Sequence, residues 1–405
     1  MLKKLVIDIS KIVNGTVIAQ LLPLIALPFF ARLYSPEAFA NFALFFASSA
    51  IGSIILSLRT ETGIISSTSE EELAQNTLLA LIFTAVLFVF AALGVFALQL
   101  FFQLPNFVFP ALFTSFLLAL FNIHQNVLVW HESFGEASKL IIIKSVLVVT
   151  LTLLFSFEYN GQVWGFALAN LLITAAVMKP LLKISRNTKA SSVKTSLIKN
   201  KNNIFYLAPH TLYNNFILQG PIYILSIYFP ATQVGQYSMA NRLIAAPISF
   251  ISSACNKVLF KKFSTLEHQK NTKTQQFLMK KLTLSLFFLL GLFFSILYLF
   301  GESLITYILG PNWLSTYPII VALLPWLLLR SIAGAFAFIT ILKEKQKNAL
   351  LFELVYGFVS LSILYTQSQY NNLLHTVSAF AITGAIFVSI QLAWYFSLLR
   401  HTNET

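Results

Sequence analysis

The basic residues of this chain are sorted onto alternate connections between apolar stretches, and no other feature constrains the fold as strongly. Lys179, Lys183, Arg186, Lys189, Lys194, Lys199 and Lys201 share one connection. Lys257, Lys261, Lys262, Lys270, Lys273, Lys280 and Lys281 surround another, Lys343, Lys345 and Lys347 occupy a third, and Lys3, Lys4 and Lys11 open the chain. The connections 103–107, 158–161, 230–234, 301–317 and 367–372 carry no Lys or Arg. Short loops rich in Lys and Arg stay cytoplasmic, so the alternation reads as a polytopic inner-membrane protein with a defined orientation.

A membrane-spanning helix needs about 20 mostly apolar residues. Twelve windows meet that need: 12–32, 38–58, 76–102, 108–130, 139–157, 162–182, 204–229, 235–256, 282–300, 318–342, 348–366 and 373–399. The fold class expected is therefore all-α, with about 12 transmembrane helices. An even number places the N- and C-termini together in the cytoplasm. Only 10% of the chain is charged, against about 25% in a soluble domain, and 40 Phe exceed what a water-soluble core of this size holds. The net charge of +13 follows from the loop bias and does not indicate nucleic acid. The same loops attract anionic lipid headgroups. Cys255, the single cysteine, has no internal partner and reads as a small buried residue. Met1–Lys11 is basic, but the apolar segment after it is long, contains Pro23 and Pro28 and lacks an Ala-x-Ala site, so no cleaved signal peptide is expected.

The polar stretch 183–203 splits the twelve windows into six plus six and reads as a flexible cytoplasmic linker. The expected organisation is an N-terminal six-helix bundle over 1–182, the linker 183–203, and a C-terminal six-helix bundle over 204–405. The halves echo each other. Phe39-Ala40-Asn41-Phe42-Ala43-Leu44 follows Pro36 into the second helix, and Val234-Gly235-Gln236-Tyr237-Ser238-Met239 follows Pro230 into the eighth. Six helices per half make the repeat parallel, a transporter arrangement with its substrate site at the midplane between pseudo-symmetric halves.

Four basic residues lie outside the charged loops: Arg32, Lys144, Arg242 and Arg330. An Arg or Lys at a helix centre costs about 2.5–3.5 kcal/mol in lipid, so such groups face water or a partner. Arg32 lies at a helix end and suits snorkelling, and Lys144 is close enough to the inner face to do the same. Arg242 and Arg330 are deeper and are the leading candidates for substrate binding. Glu353 is the only acid in that half placed to pair with them, so the pattern suggests an anionic substrate. Arg59 and Glu61 form a candidate gating or structural pair at the close of the second helix. Intramembrane amides are a further class. Asn14 and Gln20 lie in the first window, Asn122, His124, Gln125 and Asn126 in the fourth, and Asn214, Asn215 and Gln219 in the seventh. Such groups bond neighbouring helices as often as ligands. Pro23, Pro28, Pro209, Pro221 and Pro247 bend the helices that open each half.

Several functions lack their residues. There is no Gly-rich phosphate loop, so direct ATP hydrolysis is not supported. His131-Glu132 with Glu136 lacks the second His of a metal motif and reads as a turn, leaving no metal or cofactor site. A membrane glycosyltransferase or polymerase needs acid/base groups on sizeable external loops, and here these carry only Glu37, Glu158 and Glu302. No catalytic residues are expected.

Four short motifs carry a family resemblance. Arg32-Leu33-Tyr34-Ser35-Pro36-Glu37-Ala38-Phe39-Ala40-Asn41-Phe42-Ala43-Leu44 resembles the first outer turn of bacterial polysaccharide-biosynthesis flippases, the O-antigen and capsule repeat-unit translocases of the multidrug/oligosaccharidyl-lipid/polysaccharide exporter superfamily. Ser57-Leu58-Arg59-Thr60-Glu61-Thr62-Gly63-Ile64-Ile65 resembles the family's close of the second helix. Gly235–Ile244 is similar to its eighth helix, and Ile308-Leu309-Gly310-Pro311-Asn312-Trp313 to the outer loop before its tenth. Ala40 stands where many members have Gly. The resemblance implies a V-shaped, MATE-like alternating-access fold and a substrate of oligosaccharide on undecaprenyl pyrophosphate. Membrane lipids, a polysaccharide polymerase and a chain-length regulator are the implied partners. Arg242, Arg330, Lys144, Arg59, Asn214 and Gln219 are the substrate-binding candidates. A cation-coupled drug exporter of the same superfamily, a peptidoglycan-precursor flippase and a membrane polymerase stay open as alternatives.

Overall fold

The computed structural model describes the backbone of residues 2–185, 191–269 and 271–400. Arg186, Lys189, Lys270 and the tail 401–405 lie outside it, as do the side chains of Asn14, Pro247 and Cys255. The described residues form helices and turns, without strands. α1 (Leu2–Leu33), α2 (Pro36–Ser57), α3 (Thr62–Ile65), α4 (Glu70–Phe101), α5 (Val108–Trp130), α6 (Phe134–Leu154) and α7 (Gly161–Ser185) come first. They are followed by α8 (Ser191–Lys199), a π-helical turn (Asn203–Leu207), α9 (Ala208–Tyr228), α10 (Ala231–His268), α11 (Thr272–Ile308), α12 (Thr316–Phe336), α13 (Ile339–Leu342), α14 (Gln346–Ser368) and α15 (Leu373–Arg400).

Each of the twelve sequence windows is centred on a helix of at least 21 residues. Helices are what the windows must form, because a bilayer offers no partner to a backbone N–H or C=O. Nine stretches among the described residues are long and apolar enough to cross a membrane. α1 contributes a shorter apolar run, Val17–Leu33. α9 and α10 are not among the nine; α9 carries His210, Asn214, Asn215 and Gln219. The surface confirms the solvent. Val86, Phe90, Leu93 and Phe96 of α4 and Phe288, Leu292, Leu299 and Phe300 of α11 are all exposed, an apolar surface that no water-soluble monomer presents. Where helices meet, small and hydroxylated residues are buried instead, such as Ala40, Ala43, Ala47 and Ser49 of α2 and Thr114 and Ser115 of α5. That is how lipid-embedded helices pack closely. The protein is a multi-pass, all-α membrane protein.

The contacts divide the chain into two compact units, Met1–Ile222 and Tyr223–Thr405. In the first, α2 packs on α5, α5 on α7, α6 on α7, α4 on α5 and α4 on α7. In the second, the corresponding pairs are α10 on α12, α12 on α15, α14 on α15, α11 on α12 and α11 on α15. The six-residue sequence echo opens α2 and α10, which hold the same place in this pattern.

The polar stretch 183–203, expected as a linker, lies ahead of the contact boundary at Ile222 and carries α8. Composition there is polar, but α8 is docked rather than loose. Asn200 is buried and donates to Oδ1 of Asn76 at 2.9 Å, and Asn76 in turn donates to the Gly63 carbonyl at 3.0 Å. Lys199 pairs with Glu72 on α4, and Asn203 donates to Oδ1 of Asn200 at 3.0 Å. This amide ladder ties α8 and the π-helical turn before α9 to the α3–α4 corner. A nine-residue helix is marginal alone, so Asn200→Leu is expected to undock it. Hydrogen exchange across 193–199 should then speed up roughly tenfold, the equivalent of about 1.4 kcal/mol for one buried polar pairing. Unchanged exchange would show that the ladder does not hold α8.

Candidate functional site

In the first unit Arg59, Glu61 and Lys144 gather around α5. At the end of α2 the chain reverses through Leu58 (φ 44°) and Arg59 (φ 57°), two non-glycine residues in the left-handed region. Side chains hold this corner. Thr60 Oγ1 donates to the Ser57 carbonyl and Thr62 Oγ1 to the Arg59 carbonyl, each at 2.7 Å. Asn126 of α5 donates to the Glu61 carbonyl at 2.9 Å. The turn swings Arg59 back over Glu61, where Nη1 meets Oε1 at 3.2 Å. Glu61 is 2% exposed and Arg59 30%, so the carboxylate is buried and the guanidinium only half-covered. Arg59 Nε and Glu61 Oε2 have no hydrogen-bond partner.

One turn before Asn126, α5 presents Asn122 exposed and Gln125 half-buried, with Nε2 of Gln125 unpartnered. Phe121 carries Lys144 of α6 over its ring at 4.6 Å. Lys144 makes no ion pair among the described residues. His124 is buried with Nδ1 unpartnered. The polar edge of α5 is thus flanked by the Arg59–Glu61 corner on one side and by Lys144 on the other. His131 and Glu132 occupy the turn between α5 and α6, as their spacing suggested.

Of the amide candidates on α9, Asn214 and Gln219 are both half-buried. Neighbouring Asn215 bonds back to the Thr211 carbonyl at 3.0 Å, an intrahelical role. Contacts group the first part of α9, with Asn214 and Gln219, with the first unit.

In the second unit, Arg242 lies in α10, half-buried, and Arg330 lies in α12 with its side chain exposed. Arg242 and Glu353 each make an interaction of their own, so neither stands as a free charge. The Arg330 guanidinium lies over the Trp326 ring at 5.2 Å, within the range of a cation–π contact. Tyr356 of α14 faces the same indole. The sequence singles out Arg330 by its charge but not this aromatic surround. The i, i+4 spacing of Trp326 and Arg330 was the available signal; Tyr356 arrives from another helix and gave none. An exposed guanidinium on an aromatic seat offers its planar fork to an oxyanion, phosphate or carboxylate, in bidentate fashion.

Solved structures resemble this fold closely. An inward-facing multidrug resistance MATE family transporter of the MOP superfamily aligns with a TM-score of 0.72 at 16% identity, over 95% of this chain and 96% of the other. The lipid II flippase MurJ, in an inward closed conformation, aligns at 0.75 and 16% identity over 95% and 86%. A MOP superfamily transporter from Pyrococcus furiosus Vc1 (DSM3638), described as having a binding pocket of reversed polarity, aligns at 0.61 and 13% identity over 98% and 96%. At these identities the likeness concerns the fold: the MATE-like architecture implied by the four motifs is the architecture found. No curated protein matches the chain in sequence. A sequence model of one family, described as polysaccharide biosynthesis protein, matches residues 29–318, well over half of the 405, and the chain belongs to that polysaccharide biosynthesis protein family.

Proposed function

We propose that this protein is a flippase. It carries oligosaccharide repeat units on undecaprenyl pyrophosphate from the cytoplasmic to the outer face of the inner membrane, for O-antigen, capsule or exopolysaccharide synthesis. The observation that carries the reading is the family match laid over a transporter fold. The charge pattern supports it: Arg330 is exposed on an aromatic seat, and Lys144 has no ion pair among the described residues. Arg330 and Arg242 hold the anionic headgroup, Lys144 and Arg59 receive it nearer the cytoplasmic face, and Asn214 and Gln219 bond sugar hydroxyls. Alternating access moves the headgroup while the prenyl tail stays in lipid. An inside-negative potential favours outward movement of an anion by about 2.3 kcal/mol per charge per 100 mV. The basic loops support an orientation with both termini in the cytoplasm. A polysaccharide polymerase and a chain-length regulator are the partners such a pathway requires.

Deletion of the gene tests the reading. Loss of surface polymer with undecaprenyl-linked units trapped at the inner face, restored by the wild-type chain, is the expected result. Intact polymer with sensitivity to cationic dyes would identify a drug exporter instead, and trapped peptidoglycan precursor would identify a lipid II flippase. Units that reach the outer face unpolymerised would identify a polymerase. Arg330→Ala and Arg242→Ala should each lower surface glycan roughly tenfold at normal protein level, since a charge-assisted hydrogen bond contributes about 1.5–3 kcal/mol. Unchanged glycan in both would reject the anion-holding scheme.

A further inference from the structure

We propose that Trp326 is a positioning residue that fixes the Arg330 guanidinium for an oxyanion, and that Gly384 of α15 exists to seat the indole. The proposal deepens the anion-holding reading above and rests on it. Arg330 is exposed and long, and a free Arg side chain samples many rotamers that a binding site must suppress. Beneath it the structure is fixed. Trp326 is 4% exposed, against an exposed Arg330 one helical turn away on α12. The indole meets Phe380 of α15 edge-on, at 5.1 Å between centroids and 75°. One turn further along α15, a Cβ on Gly384 would lie 2.6 Å from indole Cδ1 and 2.9 Å from Cε2. No side chain fits there without moving the ring.

The other wall is α14. Tyr356 packs on Phe387 at 5.5 Å and faces Trp326 and Ser360. The indole is thus enclosed by Phe380 and Gly384 of α15 and by Tyr356 of α14, with Arg330 above it. The guanidinium can lie flat on the ring, whereas a Lys ammonium is a hydrated point charge that cannot match this geometry.

The test measures binding of inorganic pyrophosphate, and separately of glucuronate, to the purified full-length protein by isothermal titration calorimetry. Pyrophosphate answers for the lipid linker and glucuronate for an acidic sugar. Binding of either probe, abolished by Arg330→Ala, is required. Trp326→Phe and Gly384→Ala should each weaken it roughly fivefold, the scale of one cation–π seat, with the melting temperature of Trp326→Phe little changed. Arg330→Lys, which keeps the charge but not the planar fork, should bind more weakly than wild type and better than Arg330→Ala. The smaller ring makes room for the added methyl, so the Gly384→Ala/Trp326→Phe double variant should match Trp326→Phe alone and not lose binding twice. Full binding by Arg330→Lys, or by Trp326→Phe, would overturn the proposal while leaving the anion site standing. Wild-type binding in Arg330→Ala, or no binding of either probe, would remove the anion site itself and the proposal with it. Where Gly384→Ala does not accumulate, Trp326→Phe and Arg330→Lys decide the matter alone.

Discussion

Arg59→Ala is expected to destabilise the protein by about 3 kcal/mol, more than Glu61→Gln does, because it leaves a buried carboxylate with no counter-charge. The asymmetry follows from burial. Glu61 is 2% exposed and Arg59 30%. Removing Arg59 strands the Glu61 carboxylate among buried Thr60, Gly63 and Ile64. Glu61→Gln removes the charge and keeps an acceptor for Arg59, whose half-covered guanidinium retains water. That change should cost only about 1 kcal/mol, the net value of an ordinary hydrogen bond. The backbone does not confound the comparison, since Ala at 59 meets the same left-handed φ of 57° as Arg. The double variant Arg59→Ala/Glu61→Gln should recover most of the loss, because no uncompensated charge remains. Thermal unfolding of the purified protein in detergent, followed by size-exclusion chromatography, measures all three. If Glu61→Gln cost as much as Arg59→Ala, or if the double variant summed the two losses, the corner would be held by something other than the pair. The same experiment bears on function. If Arg59 receives substrate, Glu61→Gln should keep transport and Arg59→Lys, which keeps the charge but not the fork, should reduce it.

How much of this was legible depends on whether a feature is local. Twelve helices and their order could be read because bilayer thickness and backbone hydrogen bonding admit no other reading of the apolar windows. The Arg59–Glu61 pair could be read because its members are two residues apart. What escaped the sequence was long-range pairing. The segment 183–203 looks like a loose linker by its Lys, Ser and Asn content, yet Asn200 finds Asn76 and Lys199 finds Glu72 more than 120 positions away. Composition reports the cost of burying amides but not whether partners exist elsewhere in the chain. The short helices α3 and α13 were missed for a different reason. Each is four residues long and buried within or beside a longer apolar window, so periodicity had nothing to resolve. Arg330 was singled out by its charge, while the surround of its guanidinium is divided among α12, α14 and α15, and only the α12 part lies within one helix period.

Gly165→Ala is the second large effect expected, and it is steric where the first is electrostatic. Gly165 lies in α7 against α6, where a Cβ would stand 2.6 Å from the backbone nitrogen of Thr152 and 2.7 Å from its Cα. Side chains can rotate away from an intruding methyl, but these are backbone atoms of a packed helix. The two helices must separate along their whole contact. Overpacking costs about 1–3 kcal/mol, and a backbone clash belongs at the upper end. The apparent melting temperature should fall by roughly 3–4 °C, since an unfolding entropy of about 2.1 cal/mol/K per residue over 405 residues gives about 1 °C per kcal/mol. Close helix approach through glycine is how membrane helices gain contact in a solvent that supplies no hydrophobic drive. The control is Gly94 of α4, whose Cβ would meet nothing within 4 Å. Gly94→Ala should be neutral or stabilising by about 0.5–1 kcal/mol, since Ala gives up less backbone freedom in a helix. Equal melting temperatures for Gly165→Ala and Gly94→Ala would refute the close approach of α6 and α7. The effect should also reach the candidate site, because α6 carries Lys144 onto the Phe121 ring of α5. A displaced α6 lifts that cation from its seat, so transport by Gly165→Ala should fall further than its loss of folded protein explains.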